Sequence, residues 1–153
     1  MGEKFDKPEV WLALHSFLVA FVWEMFQMPF YEMGASTAWQ VTTRCALASF
    51  GDAGIMVFAY SVATLIARNR QWLHHATWKP LMAFLLTGEV ITIAVEFVAL
   101  RVPWGWNYSA RMPVLWGIGL IPIAMWLVVP LAALRLAARR TPKSAGDSAS
   151  MTE

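Results

Sequence analysis

The sequence predicts an all-α fold: an integral membrane four-helix bundle with both termini cytoplasmic. Three observations carry this expectation. First, 58% of the 153 residues are hydrophobic and only 14% are charged, whereas a soluble domain is about a quarter charged; the mean hydropathy is +0.50. Second, four apolar stretches are each long enough to cross a bilayer at about 1.5 Å rise per residue. Third, lysine and arginine are distributed unevenly between the connections, and that bias sets orientation. The length is that of one domain. A net charge of +2 gives no reason to expect nucleic acid as a partner.

The first span is expected over about 10–31. Lys7-Pro8-Glu9 makes a helix entry, with proline near the first turn and an acid at the positive end of the dipole. Pro29 should end or kink this helix. The second span covers about 39–67, with Gly51 and Gly54 beside Asp52 where another helix can come close. The segment ARNRQWLHHATWKP then reads as a basic, aromatic loop at a headgroup surface. The third span is 81–100. The fourth is 114–134; it carries no charge, and Gly117 and Gly119 offer a close helix contact while Pro122 and Pro130 predict bends. The domain plan is therefore an N-terminal segment at 1–9, a four-helix domain at 10–138 and a disordered cytoplasmic tail at 139–153. The N-terminus has mixed charges and no small-residue cleavage site, so it does not read as a signal peptide. Asp6 stands where a myristoylation motif wants Ser or Thr.

Arg68, Arg70 and Lys79 lie in the second connection, Arg135, Arg139, Arg140 and Lys143 follow the fourth span, and Lys4 and Lys7 precede the first. Those ends are expected on the cytoplasmic side of an inner (plasma) membrane, crossed several times. The buried polar residues can then be placed by depth. Glu24 shares a face with Gln27 and Tyr31. Thr42, Cys45, Ser49 and Asp52 share a face of the second helix, with Arg44 near its start. Glu89, Thr92 and Glu96 share a face of the third. All lie between mid-membrane and the outer surface. The expectation is a polar pocket opening outward, beneath a lid made by residues 101–113. Candidate catalytic residues are Glu24, Asp52, Glu89 and Glu96, because carboxylates in hydrocarbon are costly and mark functional sites. Candidate substrate-binding residues are Arg44, Arg101, Arg111, Tyr108, Trp106 and Gln27. The competing reading is that acids and arginines pair to fix helix register. Four acids against three arginines leave at least one carboxyl without a cation of its own.

Other residues read as structural. His15 is a hydrogen-bonded packing residue, Cys45 a small packing residue, His74-His75 a solvated or headgroup-facing pair, and Trp104 and Trp106 part of an interfacial belt. No metal site and no cofactor is expected, and no nucleophile motif is visible. WEMFQMPFYEMG (23–34), Gly51-Asp52 and WNYSARMP (106–113) read as family signatures. In plan, helices with intramembrane acids and tryptophans, the chain resembles sterol isomerase-like and carotenoid cyclase-like membrane enzymes. That resemblance implies carboxyls protonating isoprenoid double bonds, but it is one of architecture and assigns no residue. The leading functional expectation is a non-catalytic subunit or assembly factor of a membrane complex, with protein partners in the membrane or a homo-oligomer. The alternatives are a membrane enzyme doing acid/base chemistry on a lipid or isoprenoid, and a proton-linked carrier. Membrane lipid is a partner in each.

Overall fold

The structure, a computed structural model, describes residues 7–103 and 105–141. Trp104, Lys4, Lys143 and most of the expected N-terminal segment and tail lie outside the described residues. Four helices, each long and apolar enough to cross a membrane, make up the chain: α1 (Pro8–Gln27), α2 (Ala38–Ala67), α3 (Trp78–Ala99) and α4 (Leu120–Arg140). A two-stranded hairpin, β1 (Val114–Leu115) and β2 (Ile118–Gly119), precedes α4. Helix α1 packs against α2 and α4, and α3 closes the bundle mainly against α2.

Local chemistry sets most of the helix ends. Pro8 opens α1, and a 3₁₀ turn at Met28–Phe30 containing Pro29 ends it. Helix α2 starts at a reciprocal capping box. The Thr37 backbone N–H donates to Gln40 Oε1 at 2.9 Å, and the Gln40 N–H donates to Thr37 Oγ1 at 3.3 Å. Arg68, at φ 50°, ends α2 in the left-handed region. Pro130 lies inside α4 and removes one rung from its hydrogen-bond ladder.

The fourth helix differs from the span expected over 114–134. It begins at Leu120 and runs to Arg140. Residues 114–119 instead form the hairpin, pairing Val114 with Gly119 and Leu115 with Ile118. Its two turn residues, Trp116 and Gly117, have φ of 51° and 82°, the pair of positive values a type I′ turn requires. Gly117 accepts this freely. Trp116 pays about 1–2 kcal/mol for it and is 93% exposed at the tip. The glycines expected to bring another helix against the fourth span therefore belong to the hairpin.

Small residues let the helices come close: Ala20, Ala59, Ala63, Ala133 and Ala137 are all buried. Leu12, Met56, Tyr60, Phe84, Met125 and Trp126 fill the space between them. Outside, Leu14, Leu18, Val22, Phe26, Leu47, Phe58, Leu65, Val90 and Leu127 face outward from the bundle. An apolar core thus lies inside an exterior that carries many large apolar side chains, on four helices long and apolar enough to cross a membrane.

The end that carries the α2–α3 connection is stitched by polar contacts. Tyr60 donates from its hydroxyl to the Arg70 carbonyl at 2.5 Å. Trp72 stacks on Tyr60 and donates from Nε1 to Thr64 Oγ1 at 3.2 Å. Glu9 at the start of α1 pairs with Arg70 at 2.6 Å; on the surface such a pair is worth about 0–1 kcal/mol. His74 Nε2 and Thr141 Oγ1 lie 3.1 Å apart, tying the connection to the end of α4. Because Tyr60 is fully buried, Tyr60→Phe should cost about 1 kcal/mol in thermal unfolding. An unchanged transition temperature would show that this connection is held without the Arg70 carbonyl contact.

Candidate functional site

At the opposite end, the α1–α2 and α3–α4 connections are zipped together. Tyr31 and Tyr108 form an antiparallel bridge. The Glu32 N–H donates to the Asn107 carbonyl at 2.9 Å, and the Ser109 N–H donates to the Phe30 carbonyl at 2.9 Å. Ser109 Oγ adds a bond to the Pro29 carbonyl at 3.0 Å. The two loops thus make one roof, and Glu96 of α3 fastens it from below. Its Oε2 accepts from Tyr108 at 2.5 Å and Trp106 Nε1 at 3.1 Å, and its Oε1 accepts from Tyr31 at 3.4 Å. The Tyr108 oxygen in turn accepts from the Gly119 N–H at 2.9 Å, which reaches the base of the hairpin. Burial and the Glu96 carboxylate hold the Tyr108 phenol above its usual range, and burial lifts that of Tyr31 as well. Both therefore stay hydrogen donors through neutral pH.

Under this roof lies a cavity of about 820 Å³. Glu24 and Gln27 of α1, Arg44, Cys45 and Asp52 of α2, and Thr92 and Glu96 of α3 line it, with Tyr31, Trp106 and Asn107 from the roof. The helical periodicity explains the grouping, since each set sits on one face of its helix. Glu24 is oriented within α1: Trp23 Nε1 donates to Gln27 Oε1 at 3.1 Å, and Gln27 Nε2 donates to Glu24 Oε1 at 2.6 Å. Glu24 and Glu96 both interact electrostatically with Asp52. One oxygen of Asp52, Oδ2, is buried without a hydrogen-bond partner, and so is Thr92 Oγ1. Leu47 and Gly51 of α2 and Val95 of α3 line the cavity yet are exposed on the bundle surface, so the cavity opens sideways between these helices.

Of the residues singled out in the sequence, Glu24, Asp52, Glu96, Gln27, Arg44 and Trp106 line one cavity, and Tyr108 braces it through Glu96. Three others stand apart. Glu89 does not line the cavity; its Oε1 is buried without a partner. Arg101 folds back on α3, donating to the Phe97 carbonyl at 2.7 Å with its guanidinium 3.5 Å above the Phe97 ring. Arg111 is exposed and does not line the cavity. The expected tyrosine and tryptophan are thus in the lid, and the two arginines expected beside them are not. Acid–arginine pairing does not occur here either. Arg44 Nη1 donates to Ser36 Oγ at 3.3 Å, and the ion pair among the described residues is Glu9–Arg70, at the other end.

The sequence left Tyr31 and Thr92 as face-mates of the acids without a role. No local signal shows that Tyr31 meets Glu96, because the two are 65 positions apart. Cys45 is buried, carries a free thiol and lines the cavity wall. His15 Nδ1 lies 2.7 Å from the Trp11 carbonyl one turn back. Among the described residues, no three His, Cys, Asp or Glu side chains are grouped so as to hold a metal ion. Comparison with protein-family models, curated proteins and solved structures finds no match for this chain.

Proposed function

We propose that this chain is a multi-pass membrane enzyme that admits a lipid or isoprenoid from the bilayer and performs acid/base chemistry on it. The observation that supports this most is the cavity itself: three carboxyls from three helices, without paired cations, in a space that opens sideways between α2 and α3. Carboxyls facing apolar surroundings are the groups that move protons to and from carbon. In this reading Glu96 is a positioning residue, since three donors already occupy it. Asp52 and Glu24 carry the chemistry. A proton passes from Asp52 to one carbon of a double bond, the positive charge forms on the other, and Glu24 removes a proton from the allylic carbon beyond it, so that the double bond shifts by one position. The proton then returns to Asp52, so the substrate is isomerised with no net gain or loss.

The orientation belongs to the same proposal. Lys7, Arg68, Arg70, Lys79, Arg135, Arg139 and Arg140 gather at the end away from the cavity, while Arg44, Arg101 and Arg111 lie at the cavity end. On the positive-inside rule, both termini are cytoplasmic, the membrane is the inner (plasma) membrane, and the cavity faces the outer leaflet. The exposed Trp116 then sits at the outer interface, where tryptophan is favoured.

A non-catalytic subunit is the second reading. It is favoured by Gly51 and Gly54, where an added Cβ would meet nothing within 4 Å and a partner helix could seat. The carrier reading has less support, because Met56, Tyr60, Phe84 and Trp126 fill the bundle below the cavity. Native mass spectrometry in gentle detergent distinguishes the first two. The enzyme reading expects a chain that retains an apolar small molecule, and Ala48→Trp, at the cavity mouth, should abolish retention without loss of fold. A stoichiometric protein partner with no retained lipid would support the subunit reading and sink the first.

A further inference from the structure

The lining of the cavity is selective as well as acidic. Glu24, Glu32, Asp52 and Glu96 all face it, against one cation, Arg44. Arg44 is exposed, and the bond shown for its guanidinium goes to Ser36, away from the acids. The buried carboxyls therefore lack a compensating positive charge. Two of them are already committed: Glu96 to its three donors and Glu24 Oε1 to Gln27. Asp52 Oδ2 and Thr92 Oγ1, on facing helices whose side chains line the same cavity, are the acceptors among these that are buried without a hydrogen-bond partner. An unsatisfied buried acceptor costs about 1–3 kcal/mol, and a ligand that donates to it recovers that cost.

We infer that the ligand of this cavity is a single-chain apolar amine, its protonated head donating to Asp52 and Thr92 and its tail leaving between α2 and α3. This rests on the reading of the cavity as a lipid site: an ammonium there takes the place of the isomerised substrate and keeps Asp52 ionised, so that Asp52 is its anchor and not a proton donor to it. A cation is favoured over a neutral hydroxyl because it offsets the field of the acids as well as filling the open acceptors. A carboxylate or phosphate head is disfavoured by the same field. A primary ammonium is favoured over a quaternary one because only the former has N–H groups to give. The Tyr31 and Trp106 rings, edge to face at 6.3 Å, add polarisable walls suited to a cation. The tail meets Leu47, Gly51 and Val95, where the absent side chain of Gly51 leaves the exit open.

The test uses the full chain in lipid nanodiscs, titrated with dodecylamine, dodecyltrimethylammonium, dodecanol and dodecanoic acid, with empty nanodiscs subtracted. Dodecylamine should bind tightest and dodecanoic acid should not bind. Asp52→Asn should weaken dodecylamine about tenfold or more and leave dodecanol unchanged. Glu24→Gln, which removes charge without touching the open acceptors, should weaken both cations and serves if Asp52→Asn does not fold. Equal affinity for dodecanol and dodecylamine, or indifference of dodecylamine to both substitutions, overturns the amine assignment while the lipid-site reading stands. If none of the four binds and Ala48→Trp changes nothing, the lipid-site reading falls with it.

Discussion

Glu96→Ala is expected to cost about 3 kcal/mol and to release both roof loops together. Three donors from two different connections converge on this side chain, which is 5% exposed. They do not contribute equally. Trp106 is exposed enough to bond water instead, and the Tyr31 contact is long at 3.4 Å. Tyr108 carries most of the effect, through a 2.5 Å bond to a charged acceptor and its own bond from the Gly119 N–H. Hydrogen bonds to charged groups contribute about 1.5–3 kcal/mol, and a stranded buried donor adds its desolvation cost. The distinguishing measurement is hydrogen exchange. In Glu96→Ala, peptides covering 28–36 and 105–119 should exchange faster together, while the Tyr60–Arg70 end is unchanged. Tyr108→Phe should reproduce most of the effect on 105–119. The Tyr108 contribution has a definite pH sign. Its folded phenol lies above the ordinary value, so its contribution is fully present below about pH 10 and is lost as pH rises through the folded value. If Glu96→Ala leaves exchange in 28–36 unaltered, the roof is not one unit and Glu96 is free for another role.

The helices and the convergence of acids were legible in the sequence because both follow from short-range regularities. Hydropathy over a window reports a spanning helix whatever its neighbours, and i, i+3, i+7 spacing places Glu24 with Gln27 and Tyr31 without knowledge of the fold. Four features escaped for physical reasons. Val114 to Gly119 is apolar throughout, so hydropathy reads it as helix. Its turn residues, Trp116-Gly117, lack the Asn-Gly or Asp-Gly pair that marks a type I′ hairpin. Glu89 shares a face with Glu96, but seven residues of helix are about 10 Å of rise, and the cavity lining on α3 begins at Ile91. Shared face is not shared depth. Arg101 was assigned by depth alone, and at that depth the Phe97 ring and carbonyl one turn away are nearer than any acid. The pairing of the two roof loops is non-local, joining Tyr31 to Tyr108, and no single-sequence pattern reports such a contact.

An effect on stability of the same size is expected at Gly88. In a helix interior, replacing glycine by alanine ordinarily helps by about 1 kcal/mol. Here the sign should reverse. A Cβ on Gly88 would stand 1.9 Å from Cζ3 of Trp126, 2.3 Å from Cε3 and 2.5 Å from Cη2. These atoms belong to one rigid ring that is 0% exposed, so the ring cannot swing aside into solvent. Either α3 moves off α4 or the indole leaves its slot. Overpacking of this kind costs about 1–3 kcal/mol, occasionally more, and must also cancel the gain in helix propensity. Gly88→Ala should therefore be destabilised by about 3 kcal/mol net, at the severe end of the range. The mechanism is tested by coupling. Trp126→Leu alone leaves a void and is itself destabilising, but in that background Gly88→Ala should cost little or become stabilising. Additive losses in thermal unfolding would show that the ring is not the obstacle. The contact also bears on the cavity. Thr92 and Glu96 lie one and two turns further along the same helix, so an α3 displaced at Gly88 carries away the open acceptor and the roof fastening together. Dodecylamine binding should weaken in Gly88→Ala and recover in the double variant, although neither substituted residue lines the cavity.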